Sequence, residues 1–428
     1  MWKFFTEART RQLSVFWCAL IIGGVFAATW VRVLPSIGMA GLFLTGVGYT
    51  LGQKRRPQHA HWPSLLSFGL VYAVHLGTGL LRVPLTDPGL GQDLLLESPF
   101  LLLPAAFWLL PAWRLAHLRF LWLLLIGCCL VAAAGSTANY LLHQRAIEQM
   151  YLHSKVMPTV PDHIRFSLLV SMAVLAGLVL LASHPLGRVA QRLLLGAVVL
   201  LFLYQHLLAV RSGLVTLYGA GALWLGWLGW HYGRWRQVLA SVVAALALGG
   251  GCLLLFPTLQ NKIVNTRTDT AQLDTVESAN NYSVTARYYS YQVAQAVIRE
   301  RPLLGVSKVK LDEAMAGQYR YMYPEITQAH YLLPHNQFIF NLAAYGAVGL
   351  AVFLLGFYYP LWQALRTRNA LLVLIYAIVT ASFLVEYTLE TQIGVVTGLF
   401  FLLLAEAPVV AERQPVPVAS RLPAGRGA

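Results

Sequence analysis

His335 stands where a polar stretch meets an apolar one, in Tyr331-Leu332-Leu333-Pro334-His335-Asn336-Gln337. Imidazole is well suited to move a proton near neutral pH. Pro334 favours a helix start directly after it, and a helix N-terminus attracts anions and favours an uncharged ring beside it. His330 lies five residues earlier with Pro334 between, which is not the i, i+4 spacing of a helical metal pair. Two arginines are of the type that can hold phosphate: Arg211, in Val210-Arg211-Ser212-Gly213 at the end of an apolar run, and Arg287, in Arg287-Tyr288-Tyr289-Ser290-Tyr291 in a polar loop. The guanidinium fork grips phosphate oxygens in pairs and stays charged. The plainer roles are a snorkelling anchor for Arg211 and a surface charge for Arg287. His75 and His206 fall inside apolar runs, where polar groups are functional candidates, although a histidine satisfied by packing within the bundle is the plainer reading. His206 is five residues from Arg211 and is a candidate to support it, as Asn336 is for His335. Cys18, Cys128, Cys129 and Cys252 all lie in apolar runs, so loop disulfides and thiolate metal sites are not expected. The loop acids are scattered, Glu386 and Glu390 among them, and form no Asp-x-Asp pair.

The elements that must position these residues are membrane spans. Of the 428 residues, 57% are hydrophobic and 11% charged, against about 25% charged in a soluble domain. Those figures exclude a soluble globular fold and intrinsic disorder. Apolar runs near 13–34, 36–52, 63–82, 99–113, 120–138, 166–185, 193–210, 212–230, 238–256, 336–358, 370–388 and 392–408 predict an all-α polytopic membrane protein. About 12 transmembrane helices result. The first run is too long for a signal-peptide core and reads as a retained span.

Basic clusters fall on every second loop: Lys54 to Arg56, Arg114 with Arg119, Arg188 with Arg192, Arg234 with Arg236, and Arg366 with Arg368. That alternation places both termini in the cytoplasm. The chain then divides into helices 1–9 (1–256), a large periplasmic loop domain (257–335), helices 10–12 (336–408) and a disordered tail (409–428). The formal charge is +14. Cytoplasmic loops explain much of it without a nucleic-acid partner. Cations left over in the outer loop are Lys262, Arg267, Arg287, Arg299, Arg301, Lys308, Lys310 and Arg320. Lys308, Lys310 and Arg320 read as solvated charges, or as a diffuse field that attracts anionic lipid and sugar. Ser283 to Glu300 reads as an amphipathic helix capped by Ser283, with Tyr291, Ala294, Val297 and Ile298 on its apolar side.

His335-Asn336, a nine-residue gap, then Gly346-Ala347-Val348-Gly349 resembles the signature of the O-antigen ligase family. Arg211 resembles that family's Arg at a periplasmic helix junction. Arg287, running on to Arg301-Pro302-Leu303-Leu304-Gly305-Val306, resembles its outer-loop helix and the turn after it. The turn often ends Gly-x-Gly in the family and is Gly305-Val306-Ser307 here. The resemblance covers roughly residues 200–360. It implies a bacterial inner-membrane glycosyltransferase, with no metal and no cofactor. The donor would be a glycan on undecaprenyl diphosphate and the acceptor lipid A–core oligosaccharide. His335 would be the catalytic base, and Arg211 and Arg287 the donor ligands. O-antigen polymerases and protein O-oligosaccharyltransferases share the donor chemistry. A transporter or flippase is the rival from another class, but it favours ionisable groups at the midplane and internal repeats. Gly346 and Gly349 read as close-packing positions for a neighbouring helix.

Overall fold

A computed structural model describes residues 5–53, 62–153, 155–183 and 186–410. The basic cluster at 54–56 and tail residues 411–428 lie outside the described residues. Every apolar run becomes helix. In chain order the helices are α1 (Glu7–Ala27), α2 (Leu34–Gln53), α3 (Trp62–Leu80), α4 (Pro88–Glu97), α5 (Pro99–Leu109), α6 (Leu115–Leu142), α7 (Gln144–Leu152), α8 (His163–Ser183) and α9 (Arg188–Leu208). Then come α10 (Arg211–Tyr232), α11 (Trp235–Leu255), α12 (Pro257–Ala271), α13 (Ser283–Glu300), α14 (Lys308–Met322), α15 (Gln337–Thr367), α16 (Ala370–Phe383) and α17 (Gln392–Glu406). Among the described residues, 8 helices are long and apolar enough to cross a membrane: α1, α2, α3, α6, α8, α9, α11 and α15. Helices α5, α16 and α17 are shorter, and α10 is less apolar along its length.

Burial is uneven in a way that suits lipid. Helix α8 runs through the centre, with Phe166 to Ala176 buried along its whole circumference. Helix α11 is the opposite: Leu239, Val243, Leu246, Leu254 and Leu255 are all exposed. An apolar helix with an exposed leucine face is stable only against hydrocarbon or a partner.

Long-range contacts define two ends. At one end Ser64 hydrogen-bonds Glu406, the Arg11 Nε donates to Ala112 O at 2.8 Å, and Trp113 N donates to Pro408 O at 2.8 Å. At the other end lie α12, α13 and α14. Here Thr258 Oγ1 donates to Leu207 O at 2.6 Å, and Asn261 and Asn265 side chains donate to Glu148 O and Leu152 O at 3.0 Å. The 257–335 segment is thus stitched to the helix ends and does not hang free as a separate unit.

A second buried cluster seats α13 and α14 on α15, through Tyr289, Val293, Val297, Leu311, Met315, Phe340 and Ala344. The buried side of α13 is centred on Ala286, Val293 and Val297, while Tyr291 and Ile298 are only half-buried. Ser283 is the first helical residue and not the cap. Asp269 of α12 supplies the cap: its carboxylate accepts from Val284 N at 2.8 Å and Thr285 N at 3.1 Å. A fully buried acid on one helix therefore fixes the start of the next.

Gly346 has φ 67° and breaks α15 into two helical parts. The packing role that its spacing predicts is not the one it takes. Instead the gap receives the turn after α13: Ala347 N donates to Pro302 O at 2.8 Å and Ser307 N to Ala344 O at 2.7 Å. A Cβ on Gly346 would collide with Leu303 backbone atoms. Gly349 does meet a neighbouring helix, with Val74 of α3 at 3.3 Å from where its Cβ would be.

Candidate active site

His335 lies at the loop-domain end of the bundle, one residue before the cap of α15. That cap is Asn336, whose side-chain oxygen accepts from Phe338 N at 3.0 Å and Ile339 N at 3.1 Å. Its amide donates to Leu384 O at 3.1 Å, tying α15 to the segment after α16. The helix begins at Gln337, later than Pro334 suggested, so His335 is not in the first turn. Its ring turns to a carboxylate: Nδ1 is 3.2 Å from Glu386 Oε2. Tyr291 of α13 donates to His335 O at 2.9 Å, and the Tyr387 ring lies against the imidazole. Two separate chain segments, α13 and the one carrying Glu386 and Tyr387, thus hold one histidine.

Glu386 is buried. Burial alone would raise its carboxyl. The hydrogen bond to His335 and the charges of Arg165 and Arg287 act against burial, and the carboxyl is held below the usual carboxylate range. Arg287 Nη2 is 4.0 Å from the same Oε2. Arg287 is on the second turn of the helix that Asp269 caps, so that cap sets its position.

Arg211 is the first residue of α10. It lines an open groove of about 620 Å³ with Ile263, Thr266, Arg267, Thr270 and Ala271 of α12. Lys262 is one residue before that face and is buried. Burial, then the charges of Arg211 and Arg287, push its ammonium down to about 8, with Asp269 acting the other way. Arg211, Lys262 and Arg287 therefore interact at one mouth, with Asp269 between them committed to the α13 cap.

His206 is not brought to Arg211 by its hydrogen bonds. Its Nδ1 is 2.8 Å from Phe202 O and its Nε2 2.7 Å from Tyr218 Oη, a packed histidine between α9 and α10. His330 pairs with Thr327 Oγ1 at 2.7 Å. Lys310 is exposed beside Glu313, as expected of a solvated charge. Lys308 is not solvated. It lies among Asp93, Glu97 and Glu390, next to His75. Ionisable groups inside the assembly are thus more numerous than the apolar runs suggested. His75, Asp93 and Glu97 could hold a cation by their spacing, and the Lys308 ammonium, 2.6 Å from Asp93 Oδ1, supplies positive charge there.

Glu386 and Lys262 carry no motif, and the sequence marks them only as a scattered loop acid and a surplus outer-loop cation with no role of their own. A signal existed for Glu386: Glu386-Tyr387-Thr388-Leu389-Glu390 is a polar break between two apolar runs, and acids in such breaks are functional candidates.

The fold and the site define a multi-span helical membrane protein with a histidine–carboxylate pair and three cations at one mouth. Residues 196–354 match the family model for O-antigen ligase, a match that supports a relationship to that glycosyltransferase-type family. No curated protein matches the chain. The matched residues include Arg211, Lys262, Arg287 and His335, and end just past Gly349.

Proposed function

We propose that this protein transfers an O-antigen glycan from undecaprenyl diphosphate to a sugar hydroxyl of lipid A–core oligosaccharide, at the periplasmic face of the bacterial inner membrane. The observation that carries this reading is the His335–Glu386 pair beside Arg287. With Nδ1–H donated to Glu386, the free Nε2 of His335 takes the proton of the acceptor hydroxyl. The acceptor oxygen attacks the anomeric carbon, and the carbon–oxygen bond to the diphosphate breaks. The bonding electrons leave with the carrier, and a single displacement inverts the anomeric centre.

Arg211, Arg287 and Lys262 stabilise the diphosphate as its charge grows. Arginine clamps act in this way on leaving phosphates, and a dry site strengthens them. The open groove beside Arg211 suits the lipid, since Ile263 and Ala271 offer apolar contact near the charged end. No divalent ion is needed for this scheme.

The test is a transfer assay with purified protein in excess EDTA, using undecaprenyl-diphosphate glycan. The acceptors are lipid A–core, free glycan and a peptide carrying serine. Transfer to lipid A–core supports the reading. Transfer to glycan or peptide alone makes the protein a polymerase or protein O-oligosaccharyltransferase. Activity abolished by EDTA and restored by magnesium rejects the arginine clamp as the charge carrier. Movement of the intact lipid-linked glycan across a bilayer, without transfer, makes it a transporter.

A further inference from the structure

Lys308 opens α14, directly after the turn that docks into the Gly346 break. Its Nζ lies 2.6 Å from Asp93 Oδ1, 2.6 Å from Glu390 Oε2 and 3.5 Å from Glu97 Oε1. Asp93 and Glu97 belong to α4, and Glu390 to the segment between α16 and α17. Burial favours the neutral amine, but the charges of Glu390, Glu97 and Asp93 outweigh it and hold the ammonium well above its usual range. A cation in such company is costly to remove, because it leaves buried carboxylates unpaired.

The contacts continue from Glu390 toward His335. The other Glu390 oxygen, Oε1, accepts from Gln337 Nε2 at 2.9 Å. Gln337 Oε1 accepts in turn from Leu389 N at 2.9 Å. Gln337 is two residues after His335, and Glu390 is four residues after Glu386. The two short segments that form the His335–Glu386 pair are therefore tied a second time, and Lys308 closes that tie. The turn before Lys308 is itself held by Arg82, whose Nη2 donates to Gly305 O at 2.8 Å.

We propose that Lys308 is a positioning residue for the His335–Glu386 pair. By clamping Glu390 it fixes the Leu384–Thr391 segment against the start of α15. The pair then assembles only when the loop domain is docked. This inference rests on the catalytic reading of His335 given above.

A double-mutant cycle tests it on the full-length purified protein. Lys308→Met should lower turnover at least about tenfold, as small misplacements of a catalytic group do, with the donor KM changed less than about twofold. In a Glu386→Gln background the same change should cost less than about twofold, because the pair it positions is already lost. Equal losses in both backgrounds, or a raised donor KM at unchanged turnover, would overturn the proposal. If Lys308→Met does not yield folded protein, Glu390→Gln runs the same cycle, keeping an acceptor for Gln337 and losing the charge pair. A readout without activity uses His335→Cys with Glu386→Cys, in protein whose four native cysteines are replaced by alanine. A short bifunctional thiol reagent should bridge the two sites at least about tenfold faster when Lys308 is present than in the Lys308→Met background. Equal bridging rates would reject the inference even in a protein that transfers no glycan, an outcome that by itself rejects only the functional reading.

Discussion

At the scale of the residue, the imidazole and the carboxylate form a unit. A histidine that donates through Nδ1 presents an unprotonated Nε2, and the tautomer is set by the partner. His335→Ala should therefore lose about 10²–10⁴-fold in turnover, the usual worth of a positioned base. His335→Gln should be nearly as inactive, since it keeps hydrogen bonding without basicity. Glu386→Gln should fall between these and the unchanged protein. Near-normal turnover of His335→Gln in the transfer assay would remove the base from the mechanism. Lys262 makes a separate prediction through pH. Its ammonium is pushed down to about 8 by burial and by Arg211 and Arg287. It is charged below that pH and loses its proton as pH rises through it. The value of kcat/KM for the donor, which reports the free enzyme, should therefore fall above about pH 8. Bound diphosphate restores the charge, so the fall in kcat should come at higher pH. Lys262→Arg should remove the limb from the kcat/KM profile while keeping donor binding. A limb that persists in Lys262→Arg would assign it to another group.

At the scale of the element, the break in α15 is the feature that the sequence conveyed only in part. The spacing of Gly346 and Gly349 marked the family pattern, but period and composition show a glycine and not what occupies the space beside it. Gly346 takes a positive φ because the 302–307 turn enters the helix and bonds to its exposed backbone. The same turn forces Ser307 to φ 72° and ψ 149°, a region that glycine alone occupies freely. The place where the sequence departs from the family's Gly-x-Gly turn is thus a strained one. Ser307→Gly should raise stability by about 1 kcal/mol. Gly346→Ala should do the reverse, by roughly 1–3 kcal/mol from backbone strain alone, with a further loss from the clash against Leu303. Thermal unfolding of the two variants in detergent measures both. A destabilised Ser307→Gly would mean that its side chain contributes more than the strain costs. Asp269 shows the same limit of sequence reading: local spacing points to Ser283 as the cap, and a residue from the preceding helix provides it.

At the scale of the whole molecule, the run of apolar segments was legible because 20-residue hydrocarbon spans need only local composition. Each of the twelve runs is helical, with ends shifted by several residues. His335, Arg211 and Arg287 were legible because a motif carried them. The partners Glu386, Lys262 and Lys308 were not, because their contacts join segments far apart in sequence: Glu386 meets His335 across 51 residues. The chain's alternation through the bundle places all of these groups at one end, with Glu406, Arg11 and Trp113 at the other. Basic clusters Arg234 with Arg236 and Arg366 with Arg368 lie at the end away from His335. A surplus of Lys and Arg marks the cytoplasmic side, so the site should face the periplasm. Single cysteines can decide this in protein freed of Cys18, Cys128, Cys129 and Cys252. Cysteines at 231–237 and 361–369 should react only with a membrane-permeant thiol reagent. Cysteines near 270 or 320 should react with an impermeant one, in cells whose outer membrane has been opened. Arg320 is exposed and suits the second test directly. Labelling near 270 and 320 only from the cytoplasm would invert the molecule. The three cations would then face a compartment without the lipid-linked donor's glycan, and the proposed reaction would lose its substrate.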